Sequence, residues 1–447
     1  MVMAEKVKPG TKVALASGRA AIVLKFLDHG SQGDCYFALL EGQKVCLKLF
    51  NPTGCSLEQR KFLVKYASAG RPSKHVVDLL DLVPSQMRGV PAGYVMELLD
   101  LTKLRGVTSL LERKTLPSLT KLVDLGIIFA RAQRQIHAAG YGYHDYSDGN
   151  IKWDFEIGDN FRQLDIDNMV PQGVALRIQG TPGYIAPEVG RKTSTPSVLT
   201  DAFGISVCLF KLLHGGLSPL HGRAALRHRI LTPKVRKLLE IANPCFVYDP
   251  QRKWNRPSRT YHGRLICLWR PLPTFMKSLF TRSFTSGLLT PELRVTDSEW
   301  VNAFVRLRGL IEKCTKCSNE YFVEPKSTDP NVTTAACPAC KNRFKIGPRL
   351  SFGSHTEVVL RDGATLISSQ VGSSKPTSEA GTVPVGRVEV SGGSNRTIAI
   401  ENTSKDSWIV TDGAKKQIVG PTKKAVVRSG TLIYFPDASK EGVISFS

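Results

Sequence analysis

Acidic residues are scarce in this chain of 447 residues: 38 Asp and Glu stand against 61 Lys and Arg, a formal net charge of +23. Such a surplus favours acidic partners, whether nucleotide, phosphoprotein, nucleic acid or an anionic surface. Long apolar runs are missing as well. None reaches the ~18 residues of a membrane span; the longest, 202–213, is too short and carries Lys211. The opening ten residues are polar and lack the apolar core of a secretory signal. The cysteines do not form the framework of a secreted, disulfide-stapled chain. Of ten, four make two close pairs, and Cys35, Cys46, Cys55, Cys208, Cys245 and Cys267 are scattered. Reduced thiols plus one metal site, a cytoplasmic location and no membrane are the expectation.

What is present is unevenly spread. Between His221 and Thr290 there are 14 Lys and Arg but only two acids, Glu240 and Asp249, so about half of the charge surplus sits in one stretch. A solvated basic surface and a site for an acidic partner or nucleic acid are both open readings. The length allows two to four domains at roughly 100–200 residues each, and no internal repeat recurs. Short β-type runs at 20–26, 35–40, 44–50 and 94–98 are interrupted by one helical stretch, 57–69, with Ser56 placed to cap it. Helical spacing then dominates. Leu122, Leu125, Ile128, Phe129, Ala132 and Ile136 mark a helix over 119–139; 201–214 is a buried helix, and 297–313 runs into the paired cysteines. Beyond Pro348 the alternation is all-β, with runs at 397–400, 408–411, 425–427, 431–435 and 443–446, and a Ser/Gly/Pro-rich loop over 368–384.

Five short motifs carry chemistry. In Leu27-Asp28-His29-Gly30-Ser31-Gln32-Gly33, the glycines Gly30 and Gly33 would let backbone amides approach phosphate oxygens, though glycines in a hairpin turn are ordinary. Lys48 lies in the apolar run Val45-Cys46-Leu47-Lys48-Leu49-Phe50, where burial demands a carboxylate partner. Glu58, on the predicted helix, is the glutamate between Lys48 and Glu97. Asp145 and Asn150 stand five apart in the loop His144-Asp145-Tyr146-Ser147-Asp148-Gly149-Asn150, a spacing that suits one base and one metal ligand. Leu164-Asp165-Ile166-Asp167-Asn168 is a second acidic cluster, of the kind that holds Mg²⁺ on phosphates. The fifth is Gly180-Thr181-Pro182-Gly183-Tyr184-Ile185-Ala186-Pro187-Glu188, followed by Asp201.

In this order the motifs resemble the protein kinase superfamily over about two thirds of the chain, 12–313, with Ala186-Pro187-Glu188 the most diagnostic block. Within it the sequence is most similar to bacterial eukaryotic-like kinases encoded beside a metal-dependent phosphatase and a von Willebrand-type protein of the tellurite-resistance group. The resemblance implies an α+β bilobal kinase fold, with an N-lobe over 12–99 and a C-lobe over 100–312. It implies a Ser/Thr protein kinase using ATP and Mg²⁺, with protein substrates that include itself. By residue, Gly30 and Gly33 would cover the phosphates, and Lys48 would hold the α- and β-phosphates and pair with Glu58. Met96 would be the gatekeeper and Glu97 would start the adenine hinge. Asp145 would orient or deprotonate the acceptor hydroxyl, and Asn150 and Asp165 would hold Mg²⁺. Glu188 would pair with Arg294, and Asp201 would brace the catalytic loop. The von Willebrand-type protein and the phosphatase are the partners implied.

The sequence departs from that pattern at Asp28 and Asp167, which replace glycines, at Ser147, which replaces a lysine, and at His144, which replaces an arginine. A nucleotide-binding pseudokinase scaffold is therefore an alternative function. The segment 166–180 contains no Ser, Thr or Tyr, so phosphorylation within it cannot be the activating event.

The paired cysteines are a separate signal. Cys314-x₂-Cys317 and Cys337-x₂-Cys340, with 19 residues between the pairs, have the spacing of a structural Zn²⁺ site, here a ribbon over 313–346. The remainder, 348–447, reads as a small sandwich-like β-domain, faintly similar to forkhead-associated domains but without their phosphothreonine-binding signature.

Overall fold

The computed structural model describes residues 6–30, 32–51, 54–171, 180–323, 334–345, 347–353, 356–371, 381–392, 397–436 and 442–445. Ser31 and most of the expected loop over 368–384 lie outside them. The chain is mixed α and β with several sheets and a four-cysteine cluster. Six antiparallel strands come first: β1 (Lys12–Ala14), β2 (Ala20–His29), β3 (Gly33–Leu40), β4 (Gln43–Phe50), β5 (Leu79–Val83) and β6 (Gly93–Glu97), in the order β1-β2-β3-β4-β6-β5. Strands β3 and β4 join through Glu41 and Gly42, both at positive φ (52° and 81°), as a two-residue hairpin turn requires. Helix α1 (Leu57–Ala69) begins with a capping box: Ser56 accepts from the Gln59 amide, and the Gln59 side chain accepts from the Ser56 amide.

The helical part is organised on α2 (Leu119–Ala138), α3 (Val198–Leu213) and α4 (Asp297–Gly309). Gly126 in α2 makes room for the Phe304 ring of α4; a Cβ there would lie 2.1 Å from it. The sequence expectation ran α4 on to residue 313. Instead the helix stops at Gly309, and Ile311–Lys313 pairs with Glu320–Phe322 as a short ladder leading into the first cysteine pair. That ladder is tied to α2 through Glu320, which accepts from the amide and hydroxyl of Thr120.

After the cysteines, a six-stranded and a four-stranded antiparallel sheet share one apolar core around Leu350, Val388, Ile400, Trp408 and Ile433. This β-region is docked on α4. Arg308, 7% exposed, bonds Asp124 of α2 at 2.8 Å and Thr365 at 3.0 Å. Gly309 lies so close to the strand Thr356–Val359 that a Cβ would sit 1.9 Å from the Glu357 carbonyl oxygen. Gly309→Ala should therefore cost ~1–3 kcal/mol by overpacking, read as a lower midpoint in thermal unfolding. Gly263→Ala, where the Cβ position is open, is the control expected to leave the midpoint in place.

Candidate functional site

Lys48 is the centre of the site. Strand β4 carries it into the interior, 3% exposed, and hydrogen-bonded pairing with Tyr94 on β6 and Cys35 on β3 fixes its register. Its ammonium lies 2.9 Å from Asp167 and 3.1 Å from Asp165. Burial alone would lower the lysine pKa, but the two carboxylates outweigh it and raise it. The two carboxylates thus favour the charged form of Lys48.

Glu58 is not its partner, contrary to the sequence expectation. Glu58 faces water, with its side chain 67% exposed, and pairs with Lys61 one turn on. The inward face of α1 is Gln59, Phe62, Leu63 and Tyr66. Gln59 is fully buried, and its amide nitrogen donates to the Asp167 backbone carbonyl at 3.2 Å. Its Oε1 is occupied by the Ser56 amide, so one side chain caps the helix and ties it to the acidic turn. Tyr94 completes the set, its hydroxyl donating to Asp167 at 2.7 Å. Asp167 is thus wholly enclosed by Lys48, Tyr94 and the α1 contact. It is a built partner of Lys48, where a glycine would leave the lysine with Asp165 alone.

Asp165 adopts a left-handed backbone (φ 53°), which turns its carboxylate back toward Lys48. Burial raises its pKa, Lys48 opposes that, and Asp167 adds to it. Asp145 lies alongside. Thr181 donates to its Oδ1 at 2.8 Å and Asn150 to its Oδ2 at 3.0 Å, and burial, the largest influence, pushes its carboxyl up. With its Nδ2 committed to Asp145, Asn150 offers Oδ1 as an acceptor. The Ser147 hydroxyl accepts from the Asn150 amide at 3.0 Å, so this serine shapes the loop.

The structure thus brings together Lys48, Asp145, Asn150 and Asp165. Gly30 and Gly33 close the β2–β3 turn, with the Gly30 amide on the Gly33 carbonyl. Gly33 is demanded by packing: a Cβ would lie 2.2 Å from the Leu49 carbonyl. Between them Gln32, 3% exposed, reaches down to Asn168 at 2.9 Å, a contact sequence reasoning missed. The buried Met96 pairs with Cys46, and the Glu97 carboxylate is held by Arg162, Arg71 and the Asp78 amide.

The loop carrying Asp145 is held from beneath. Asp201, 1% exposed, accepts from the amides of Tyr143 (2.7 Å) and His144 (3.0 Å) and from the His144 ring. His137 bridges Asp201 (3.3 Å) and Asp297 (2.5 Å). Arg294 and Glu188 form a buried bidentate pair at 2.7 and 2.9 Å.

The second site is the cysteine cluster, whose four sulfurs lie within 4.8 Å of one another. The pairs Cys314–Cys340 and Cys317–Cys337 are each 3.6 Å apart, close to the ~3.8 Å edge of a tetrahedron with ~2.3 Å metal–sulfur bonds. Both halves have the same backbone. The amide of Cys314 bonds the Asn319 carbonyl, and that of Cys337 the Asn342 carbonyl, each at 2.9 Å. Ser318 and Lys341, both at positive φ, donate back to the carbonyls of Cys314 and Cys337. Amides of Cys317 and Lys316 hold the Cys314 thiol down at about 6. This is a donor set for a structural metal such as Zn²⁺. Asp145, Asp165 and Asp167 make no comparable cage; among the described residues only the cysteines do.

Two outcomes follow. The purified chain should carry one tightly held Zn²⁺ by elemental analysis, and Cys337→Ser should abolish it and expose the ladders at 311–322 and 334–345 to protease. The second concerns His137. Burial would lower its pKa, but Asp201 and Asp297 outweigh that and hold it at about 10, against 6.5 unperturbed. Its contribution to stability is therefore complete below pH 6.5 and lost as the pH rises through about 10. The unfolding midpoint should fall across that window, and less steeply in His137→Gln. No helix among the described residues is long and apolar enough to cross a membrane. No model of a known protein family matches the chain.

Proposed function

We propose that the chain is a protein kinase that transfers the γ-phosphoryl group of ATP to Ser or Thr hydroxyls of a protein partner and of itself, built on a bilobal kinase fold. The observation that carries this reading is the convergence of a buried lysine on Asp165 and Asp167, beside Asp145 and Asn150. Lys48 would bind the α- and β-phosphates while Asp167 keeps its ammonium in place. Asp165 and the Asn150 carbonyl oxygen are hard oxygen donors, suited to Mg²⁺. Bound there, Mg²⁺ would neutralise phosphate charge. Asp145 would orient the acceptor hydroxyl. The hydroxyl oxygen bonds the γ-phosphorus as the bond to the β–γ bridging oxygen breaks; the proton passes to Asp145 and ADP leaves. The resemblance and the Thr181–Asp145 contact of 2.8 Å support Ser/Thr acceptors.

A second reading, a nucleotide-binding scaffold, is favoured by the buried Gln32–Asn168 contact, which draws the glycine turn down over the acidic cluster. Transfer of labelled γ-phosphate to the chain and to a generic protein decides between them. Lys48→Met and Asp165→Asn should each lower the rate by ~10²-fold or more, the scale for losing a preorganised charge contact. Transfer equal in wild type and both variants would leave the scaffold.

A further inference from the structure

Between Glu188 and Asp249 the only acids are Asp201 and Glu240. All four are turned inward. Glu188 is paired with Arg294, and Asp201 is consumed by His144 and two amides. Glu240, 2% exposed, is bonded to His221 at 2.8 Å, and Asp249 is bonded to Arg252 at 2.9 Å. The bases point the other way. Arg191, Lys192, Arg223, Lys234, Arg236 and Lys237 are exposed, and of these only Arg236 comes within 4.0 Å of a carboxylate among the described residues. Lys211 does not belong to this set: it is buried over the Tyr184 ring, 3.7 Å from Asp148.

Of the elements bearing these cations, the helix that begins at Lys237 packs on the segment that touches Asp145. Thr181 opens that segment with its bond to Asp145. Two residues on, the Cβ position of Gly183 lies 3.6 Å from Glu240, on the one-turn π-helix Lys237–Ala242. At the far end a Cβ on Gly190 would lie 2.6 Å from the Ile241 side chain, and Arg191 donates to the Ile241 carbonyl at 2.9 Å. The unbalanced positive charge is thus joined directly to the strip of chain beside the candidate catalytic carboxylate. Its placement there fits a protein chain threading the site better than a nucleic acid bound elsewhere.

We propose that this surface holds the flanks of the protein substrate, so that the acceptor hydroxyls lie in Asp/Glu-rich segments. The inference rests on the phosphotransfer reading and names its substrate class. Exposed cations with few carboxylate partners gain from an anionic chain and repel a cationic one, giving selection that weakens with added salt.

The test uses the full chain with three probes: a Ser peptide flanked by Asp and Glu, the same peptide flanked by Lys and Arg, and an oligo-dT strand. The acidic peptide should have the higher kcat/KM. Reversing Lys234→Glu and Lys237→Glu together should raise its KM by about tenfold, the scale of ~1.4 kcal/mol, with the KM for ATP unchanged. The milder pair Lys234→Gln and Lys237→Gln should move it in the same direction. Transfer that favours the basic peptide, or a KM indifferent to both pairs, would overturn the substrate assignment and leave the kinase reading standing. So would competitive displacement showing that oligo-dT, and not the acidic peptide, occupies the surface. Transfer to no peptide and not to the chain itself would remove the kinase reading, and the substrate role of the surface with it.

Discussion

A lysine residue only 3% exposed to water carries a stable charge only if fixed negative charge surrounds it. Much of the site follows from that constraint on Lys48. Asp165 takes a left-handed backbone to face it, and Asp167 is enclosed completely to meet it. Each further contact then secures Asp167: Tyr94 on its carboxylate, Gln59 on its carbonyl. Helix α1 is thereby fastened to the acidic turn through a neutral amide, and the charge of Glu58 is left to solvent. Removing Asp167 would leave the buried Lys48 with Asp165 as its one carboxylate partner, which is a different defect from losing a ligand for a metal.

The sequence made the elements legible because they are strongly periodic or sharply punctuated. Helix α1 occupies 57–69 with Ser56 as its cap, as the pattern indicates, and the strands differ from expectation by a few residues at their ends. The gathering of Lys48, Asp145, Asn150 and Asp165 was likewise readable from motif order. What was not readable was phase. Helix α1 offers adjacent Glu58 and Gln59, and composition favours the carboxylate as partner for a lysine. The helix turns the other one inward because Phe62, Leu63 and Tyr66 set its buried stripe. The capping-box spacing from Ser56 to Gln59 was the available signal. Gln32 was missed for a related reason, since a polar residue between two glycines reads as exposed turn until tertiary packing buries it. The end of α4 was overrun because Ile311 and Lys313 continue a helical pattern, whereas pairing with Glu320–Phe322 claims them for a strand.

Charge is sorted radially in the helical part. Carboxylates are drawn inward to brace backbone amides and histidines, as Asp201 does under Tyr143 and His144. Between Glu188 and Asp249 the bases other than Lys211 are left outside with few carboxylate partners, whereas Arg294 and Arg308 are buried against Glu188 and Asp124. The high net charge of the chain is thus a property of its surface, and it arises from where the acids are needed as much as from how few there are. The cysteine cluster solves a separate problem: two short ladders, Ile311–Lys313 with Glu320–Phe322 and Thr334–Ala336 with Arg343–Lys345, have a core of only a few side chains. A shared metal would supply the cohesion that apolar area cannot.

The central claim is that the carboxylates around Lys48 form a nucleotide site that works through a divalent cation. Its most direct test is ATP binding by calorimetry with and without Mg²⁺, in wild type and in Asp165→Asn. The account predicts affinity that rises steeply with Mg²⁺ in wild type and loses that dependence in Asp165→Asn. Binding that ignores both the metal and the substitution would contradict it.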